Sequence, residues 1–469
     1  MVTRLLMSPS LVILLVLAGC MTVPDASQKD VSKTDQASAV AATSTSVAPI
    51  TEVASVTATP NRLTGTISAT PFAAVVRDGT ARAPTTLAQA AALTAARVQV
   101  GARQAAWQPQ VSLGVSANSG GDVVPVGRIT QLLYDGGASR EQIAIAKLGA
   151  DQAYESQLAE MATQTYAGVD AIIALTQARA RVDQARRNVA AVQDIVSDLQ
   201  RRFDVGAGSS ADLLAGEGRV AQATSAQLEA AADLREAEAL WTDLFGLPAP
   251  ARLPSVPKAP RLRNTNVDAA LAGSPRLRAQ VNQVAAQERS VELARAQGRP
   301  RVSAILESDF GVGNFEDDVQ ARVGVDVPVY QGGQLQASVA GAEADLAQSR
   351  AAQEGLRRDL RRALTSALAE VSDTASRLAA AQKAVRVNRD ALEAARGQFQ
   401  LGSGSLIAIL DAQRSINETQ VSLIDLRADT ARAEYAILAI TGDILTAVGV
   451  VLPVAPSFAP TPMLIGGER

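Results

Sequence analysis

Val205-Gly206-Ala207-Gly208-Ser209 returns, 196 residues later, as Leu401-Gly402-Ser403-Gly404-Ser405. Each copy lies just after a phenylalanine, Phe203 or Phe399, and the same offset carries Tyr134 to Tyr330 and Gly246 to Gly442. An offset that stays constant from Tyr134 to Gly246 leaves no net insertion or deletion, so the chain is a duplication whose unit length is under geometric control. Glycine takes the positive φ that closes a helix, and serine caps the next one, so each stretch reads as the tip of a helical hairpin.

The flanks of these turns support long helices. Proline is absent from 126 to 247 and from 329 to 452, and inside a helix it costs about 3 kcal/mol or more. In the first copy Leu175, Val182, Val189, Val196 and Phe203 fall seven apart; in the second, Leu364, Val371, Leu378, Val385, Leu392 and Phe399 do the same. A sustained period of seven implies helices that supercoil against neighbours, and small companions such as Ala367, Ala381 and Ala395 let their axes approach closely. Long arms over 138–203 and 334–399 would each reach about 100 Å at 1.5 Å per residue. Return arms over 209–245 and 405–441 would reach about 55 Å. Single helices near 86–106 and 267–297 would stack end to end on the return arms, adding about 30 and 46 Å.

Ahead of each long arm the period changes from seven to two. Val111, Leu113 and Val115 alternate with Ser112, Gly114 and Ser116, and Val323, Val325, Val327 and Val329 alternate with Arg322, Gly324, Asp326 and Pro328. Val123–Tyr134 and Val302–Phe310 are weaker strand candidates, with turns at Gly120-Gly121 and over 311–318. Segments of this kind, apolar on one face and polar on the other, mark strands of a transmembrane barrel as well as soluble amphipathic hairpins. Four strands cannot close a barrel in lipid, so a membrane reading requires several chains. The fold class is mainly α with a small β part.

Composition removes several functions. There is no histidine and the one cysteine is Cys20, so His-based acid/base chemistry, thiol nucleophiles and Cys/His metal sites are not available. No catalytic residue, metal or cofactor is expected, and an enzyme is the least supported class. The net charge of -3 argues against a nucleic-acid partner. The apolar run Leu11–Leu17 ends at Ala18-Gly19-Cys20, the pattern of a bacterial secretory signal with a lipoprotein cleavage site, too short for a transmembrane helix. An ordinary signal with an incidental cysteine is the plainer alternative. The organisation expected is a signal peptide over 1–19, a lipidated low-complexity tether over 20–84 with ordered wrapping open near Ile67–Val76, and a first repeat over 85–247. A Pro-rich linker over 248–266, a second repeat over 267–444 and a tail over 445–469 follow.

The ordered set of motifs resembles the TolC family of outer-membrane channel proteins. The resemblance is carried by Leu133-Tyr134-Asp135-Gly136-Gly137 and Val329-Tyr330-Gln331-Gly332-Gly333 at the strand-to-helix junctions, and by Phe399-Gln400-Leu401-Gly402-Ser403-Gly404 with Leu410-Asp411-Ala412-Gln413. It covers about 87–444. It implies a homotrimer with a 12-stranded barrel in the outer membrane, a periplasmic helical tunnel, and a periplasmic adaptor and an inner-membrane pump of RND or ABC type as partners. Cys20 then becomes the lipid attachment site. The two glycine tips, Val205 to Ser209 and Leu401 to Ser405, become the surface that meets the adaptor, and Tyr134, Gly136, Gly137, Tyr330, Gly332 and Gly333 mark the junctions.

Family members narrow the tunnel with inward carboxylates early in the return helix. Asp411 matches one such position, whereas Ala408 stands where another is often acidic. Asp212 lies 196 residues before Ala408, and Ala215 lies 196 before Asp411, so three chains would place six carboxylates around one opening and favour cations. The plainer readings are helix capping for Asp212 and a solvated helix face for Asp411. Gly404 replaces a residue that supports gating contacts elsewhere in the family. Small-molecule efflux and type I protein secretion both fit these motifs, and a structural coiled-coil lipoprotein is the alternative of another class.

Overall fold

The computed structural model describes residues 62–117, 123–206, 208–264, 266–309, 318–401 and 403–458, all within one compact unit over 56–469. Cys20, the signal segment, the tether up to residue 61, the turns at Gly120-Gly121 and 311–317, and the end of the tail from 459 lie outside the described residues. Two short helices come first, α1 (Pro71–Arg82) and α2 (Pro84–Gln104), and lead into β1 (Gln110–Ala117) and β2 (Val123–Tyr134). The first hairpin is α3 (Ala138–Asp204) and α4 (Ser210–Phe245). The second half runs α5 (Val267–Leu271), α6 (Pro275–Ala296), β3 (Arg301–Asp309), β4 (Asp318–Asp326), α7 (Gln334–Gln400), α8 (Leu406–Thr441) and α9 (Ile444–Val448).

The duplication holds to the residue in the hairpins: both ends of α7 stand 196 residues after those of α3, and both ends of α8 stand 196 after those of α4. With 67 residues each, α3 and α7 extend about 100 Å. α3 packs against α2 and α4 and also against α6 and α8, whereas α7 packs against α6 and α8. Leu175, Val182 and Val189 are accordingly buried on α3, and Leu364, Val385 and Leu392 on α7.

The largest side chains of this aromatic-poor chain collect in one cluster, where the middle of α3 meets the ends of α4 and α8. Phe72 and Val76 of α1 join Ile172, Leu175, Trp241, Phe245, Tyr435, Leu438, Ile444 and Val448 there. Phe72 packs 5.8 Å from the Tyr435 ring and Trp241 4.3 Å from Phe245. Gly79 lets α1 lie against α4, because a Cβ there would stand 2.5 Å from the Phe245 ring.

Three segments are more ordered than the words tether, linker and tail imply. The ordered wrapping left open near Ile67–Val76 is present: residues 62–70 form a strap that leads into α1, with Leu63 bridged to Leu262 and Ile67 N–H donating to Ala447 C=O. Burial of Phe72, worth about 2–3 kcal/mol, helps offset the entropy of ordering a segment whose composition alone would not. The Pro-rich stretch is likewise packed, since the Tyr435 hydroxyl donates to Pro257 C=O at 3.0 Å and Ala259 is buried. The tail begins with α9, whose Ile444, Leu445, Ala447 and Val448 are core residues.

The helix expected over 267–297 is broken into α5 and α6 at Gly273-Ser274-Pro275. Proline fits only the first turn of a helix, so α6 starts there and reaches about 33 Å, short of the expected 46 Å. β4 ends at Asp326, and Val327 and Val329 fall beyond it because Pro328 has no N–H to give a ladder.

The four strands form one antiparallel sheet in the order β1-β2-β3-β4. Val111, Ile129, Leu306 and Ala321 stand opposite one another across it, as do Ser112, Arg128, Glu307 and Gln320. One face is therefore apolar and uncovered, with Val111, Leu113, Val115, Val323 and Val325 all exposed. The other carries Glu307 between Arg128 at 2.9 Å and Arg322 at 3.0 Å.

Candidate functional site

The two tips are built alike. α3 closes at Val205 and Gly206, whose φ is +71°, and α4 opens with the Ser209 hydroxyl accepting from Ala211 N–H at 3.1 Å. In the second copy Ser403 and Gly404 N–H groups both donate to Gln398 C=O at 3.0 Å, and the Ser405 hydroxyl accepts from Ala408 N–H at 3.2 Å. Gly208 and Gly404 are required by close approach, since a Cβ would stand 3.0 Å from Phe203 N and 2.7 Å from Phe399 N. Ala207 and Gly402 lie outside the described residues. Each turn presents one large apolar side chain to solvent, Val205 at 78% and Leu401 at 86% exposure. The two tips are tied together by Arg202, which donates to Phe399 C=O at 2.9 Å and covers the Phe399 ring at 4.1 Å.

Behind the tips, Val192, Ile195 and Leu199 of α3 pack with Leu392 of α7 and Leu406, Ile409, Leu410 and Ile416 of α8. Asp411 sits at the edge of this cluster, half-exposed, 3.8 Å from Arg219 of α4 and 3.5 Å from Arg414. It is thus a bridge between the two hairpins as well as a carboxylate on a helix face. Asp212 lies in the first turn of α4, and no ion pair joins it to Asp411 among the described residues. Arg414 could have been found from its spacing of three from Asp411; Arg219 could not, because its place 196 residues on is Ser415.

Above this level a polar seam joins α3 to α8. Arg181 donates to Asp425 at 2.8 Å and lies 3.5 Å from Asp233 of α4. The hydrogen bond to Asp425 raises the Arg181 pKa further. Arg432 donates to Asp170 at 2.7 Å and to Gln177 at 2.9 Å, Gln184 donates to Asn417 at 3.0 Å, and Gln413 donates to Asn188 at 3.1 Å. The charge-assisted bonds of Arg181 and Arg432 fix register more than they add stability.

At the other end, the sheet is welded to the long helices. Asp135 caps α3 through bonds accepted from Gly137 N–H at 3.1 Å and Ser139 N–H at 2.7 Å, and Arg299 donates to Gly136 C=O at 2.7 Å. Gly136, Gly137, Gly332 and Gly333 all take positive φ, the conformation that lets each strand turn abruptly into its helix. Tyr134 and Tyr330 are exposed at these corners. No helix among the described residues is long and apolar enough to cross a membrane.

Comparison with known proteins agrees with this architecture. Residues 266–443 match the family model "Outer membrane efflux protein". The outer membrane efflux protein BepC of Brucella suis biovar 1 (strain 1330) is 27% identical over 334 residues, which cover 67% of this chain and 71% of BepC. The structure of VceC from Vibrio cholerae superposes with a TM-score of 0.72 at 16% identity, covering 79% of this chain and 96% of that one. The outer-membrane channel OprN gives 0.71 at 20% identity, covering 79% and 89%. The resemblance drawn from the ordered motifs is borne out by the family match over the second repeat and by the fold over most of the chain.

Proposed function

We propose that this chain, an outer-membrane efflux protein by family resemblance and by fold, assembles as a homotrimer that serves as the exit duct of a tripartite system exporting small molecules. The observation that carries this reading is a four-stranded sheet with two open edges and one uncovered apolar face, attached to helices of 67 residues. Water does not favour such a face, and lipid does not tolerate open edges. Three copies supply twelve strands, enough to close a barrel, and the helices continue it as a tunnel of about 100 Å. Cys20 anchors the chain to outer-membrane lipid. The tips at Val205 and Leu401 receive the adaptor, which links the duct to an inner-membrane pump.

Asp411 and Asp212 shape the opening at the tips, with Arg219 and Arg414 holding the Asp411 carboxylate in place. Reconstitution into planar bilayers tests the reading. A stepwise conductance together with a trimer in detergent is expected, and D411A is expected to lower the preference for cations without changing trimer yield. Absence of conductance from a folded trimer would favour a structural lipoprotein. Loss of protein secretion but not of drug resistance in a deletion strain would favour type I secretion.

A further inference from the structure

The polar face of the sheet concentrates its charge in one band. Arg128 of β2 stands directly opposite Glu307 of β3 in the ladder, and Arg322 of β4 reaches the same carboxylate diagonally from its own pair with Ile305. Arg128 donates to one oxygen at 2.9 Å and Arg322 to the other at 3.0 Å. Both carboxylate oxygens are thereby engaged, while each arginine has used one of its five N–H donors. The group keeps one positive charge in excess. The two arginine side chains are 48% and 56% exposed against 24% for Glu307, so it is the guanidinium groups that meet solvent.

Nothing on the neighbouring strand cancels that excess. Ser112 of β1 stands opposite Arg128, and the β1 residues that share its face, Gln110, Gly114 and Ser116, carry no charge. Along the strands the band is bounded on both sides. Toward the helices Arg301 stands opposite Asp326, an internally balanced pair, and toward the hairpin turn Asp309 stands opposite Asp318. Between these two levels the arginines outnumber the acids.

With the apolar face turned to lipid, this charged face lines the lumen. The open edges are β1 and β4, so closing the ring sets the uncharged polar face of β1 beside Arg322 of the next copy. We infer that Arg128 and Arg322, spaced by Glu307, form a girdle inside the barrel that attracts small anions bearing phosphate or carboxylate groups at the exit of the duct. This rests on the duct reading above and adds a second selecting level, opposite in sign to Asp411 and Asp212 at the tips. Twelve strands about 4.8 Å apart and tilted by about 40° set the backbone about 12 Å from the axis. Screening acts over about 8 Å at 0.15 M salt, and the arginines project inward, so their field spans most of the opening.

The test uses the full chain in planar bilayers, with reversal potentials read in a potassium chloride gradient between about 0.01 and 0.1 M, where screening is weak. R128A/R322A is expected to raise the permeability ratio of potassium over chloride about threefold, E307Q to lower it, and R128K/R322K, which keeps the charge, to recover most of the difference. These shifts should fade at about 1 M salt, where the screening length falls to about 3 Å. Inorganic tripolyphosphate added on the barrel side should reduce the conductance of the unaltered trimer and leave that of R128A/R322A little changed. Equal ratios across the variants in a conducting trimer, or equal block by tripolyphosphate, would overturn the girdle and leave the duct standing. Should R128A/R322A fail to assemble, E307Q decides, and a ratio that does not fall would overturn the proposal. A lysine variant that behaves like the alanine variant would assign the effect to barrel structure and overturn it as well. A folded trimer without conductance would overturn the duct reading and the girdle together.

Discussion

α3 and α7 have the same length, the same heptad spacing and the same place in the duplicated unit, but α3 buries 21 of its residues and α7 only 5. The difference does not arise from their own periodicity. α3 is flanked by both halves of the chain and is capped at mid-length by α1, while α7 has neighbours from its own half alone. A repeat of two units in an open row must leave one such helix uncovered; closing the row into a ring removes the exposed end without any change of sequence.

The sharpest way to break this comparison is to truncate equivalent side chains. Leu175 is fully buried and Val371, 196 residues on, is half-buried. L175A should cost about 2–5 kcal/mol and V371A less than about 1.5 kcal/mol, read by denaturant unfolding of the protomer in detergent. Similar costs at the two sites would show that α7 is as deeply covered as α3 under those conditions.

The next test is the strap that α3 has and α7 lacks. G79A places a methyl against Phe245 and should destabilise by about 1–3 kcal/mol, with protease cleavage appearing first within 62–83. Protection of that segment in the variant would show that α1 does not depend on this contact.

A smaller effect is expected within the polar seam. Gln184 is buried and bonded to Asn417, and its counterpart Ala380 is exposed. Q184A should cost about 1–2 kcal/mol by leaving a polar partner unmatched, whereas A380Q should change protomer stability by less than about 0.5 kcal/mol. Equal effects in thermal scans would contradict the asymmetry.

The smallest effect concerns pH. Burial pushes the Asp443 carboxyl above the ordinary carboxylate value, although Arg62 stands 3.7 Å away. A carboxyl whose folded pKa is raised binds its proton more tightly in the folded state. Its contribution is therefore present below the unfolded pKa and is lost as pH rises through the folded value. D443N should flatten the pH dependence of the melting temperature in the acid range and raise the melting temperature slightly at pH 7. Unchanged slopes would assign the acid-range dependence to other groups, with Glu155 the first to examine because burial also raises its pKa.

Much of the architecture was legible because it is local. Absence of proline, heptads of Leu and Val, and glycine with serine at the turns specify where α3, α4, α7 and α8 begin and end, since capping and periodicity act over a few residues. The short helices were less legible. α1 is held by Phe72 and Val76 reaching a cluster most of whose members are more than 80 positions away, and no local pattern specifies those partners. The break between α5 and α6 was signalled by Gly273-Ser274-Pro275, and the apolar residues on either side concealed it. At the tips, Asp411 was singled out by its motif, but its partner Arg219 has no equivalent in the other repeat and is joined to it only by the approach of α4 to α8.

The sequence by itself determined a duplicated chain of fixed unit length, with two long helical hairpins and two amphipathic strand pairs, because helix period, strand alternation and turn chemistry are properties of neighbouring residues. Only the tertiary structure decided that the two strand pairs join into one open sheet, that the strap and the Pro-rich stretch close over the middle of α3, and that α7 keeps a bare face. Those outcomes depend on which buried surfaces compete for the same neighbours, and that competition is settled by packing between distant segments.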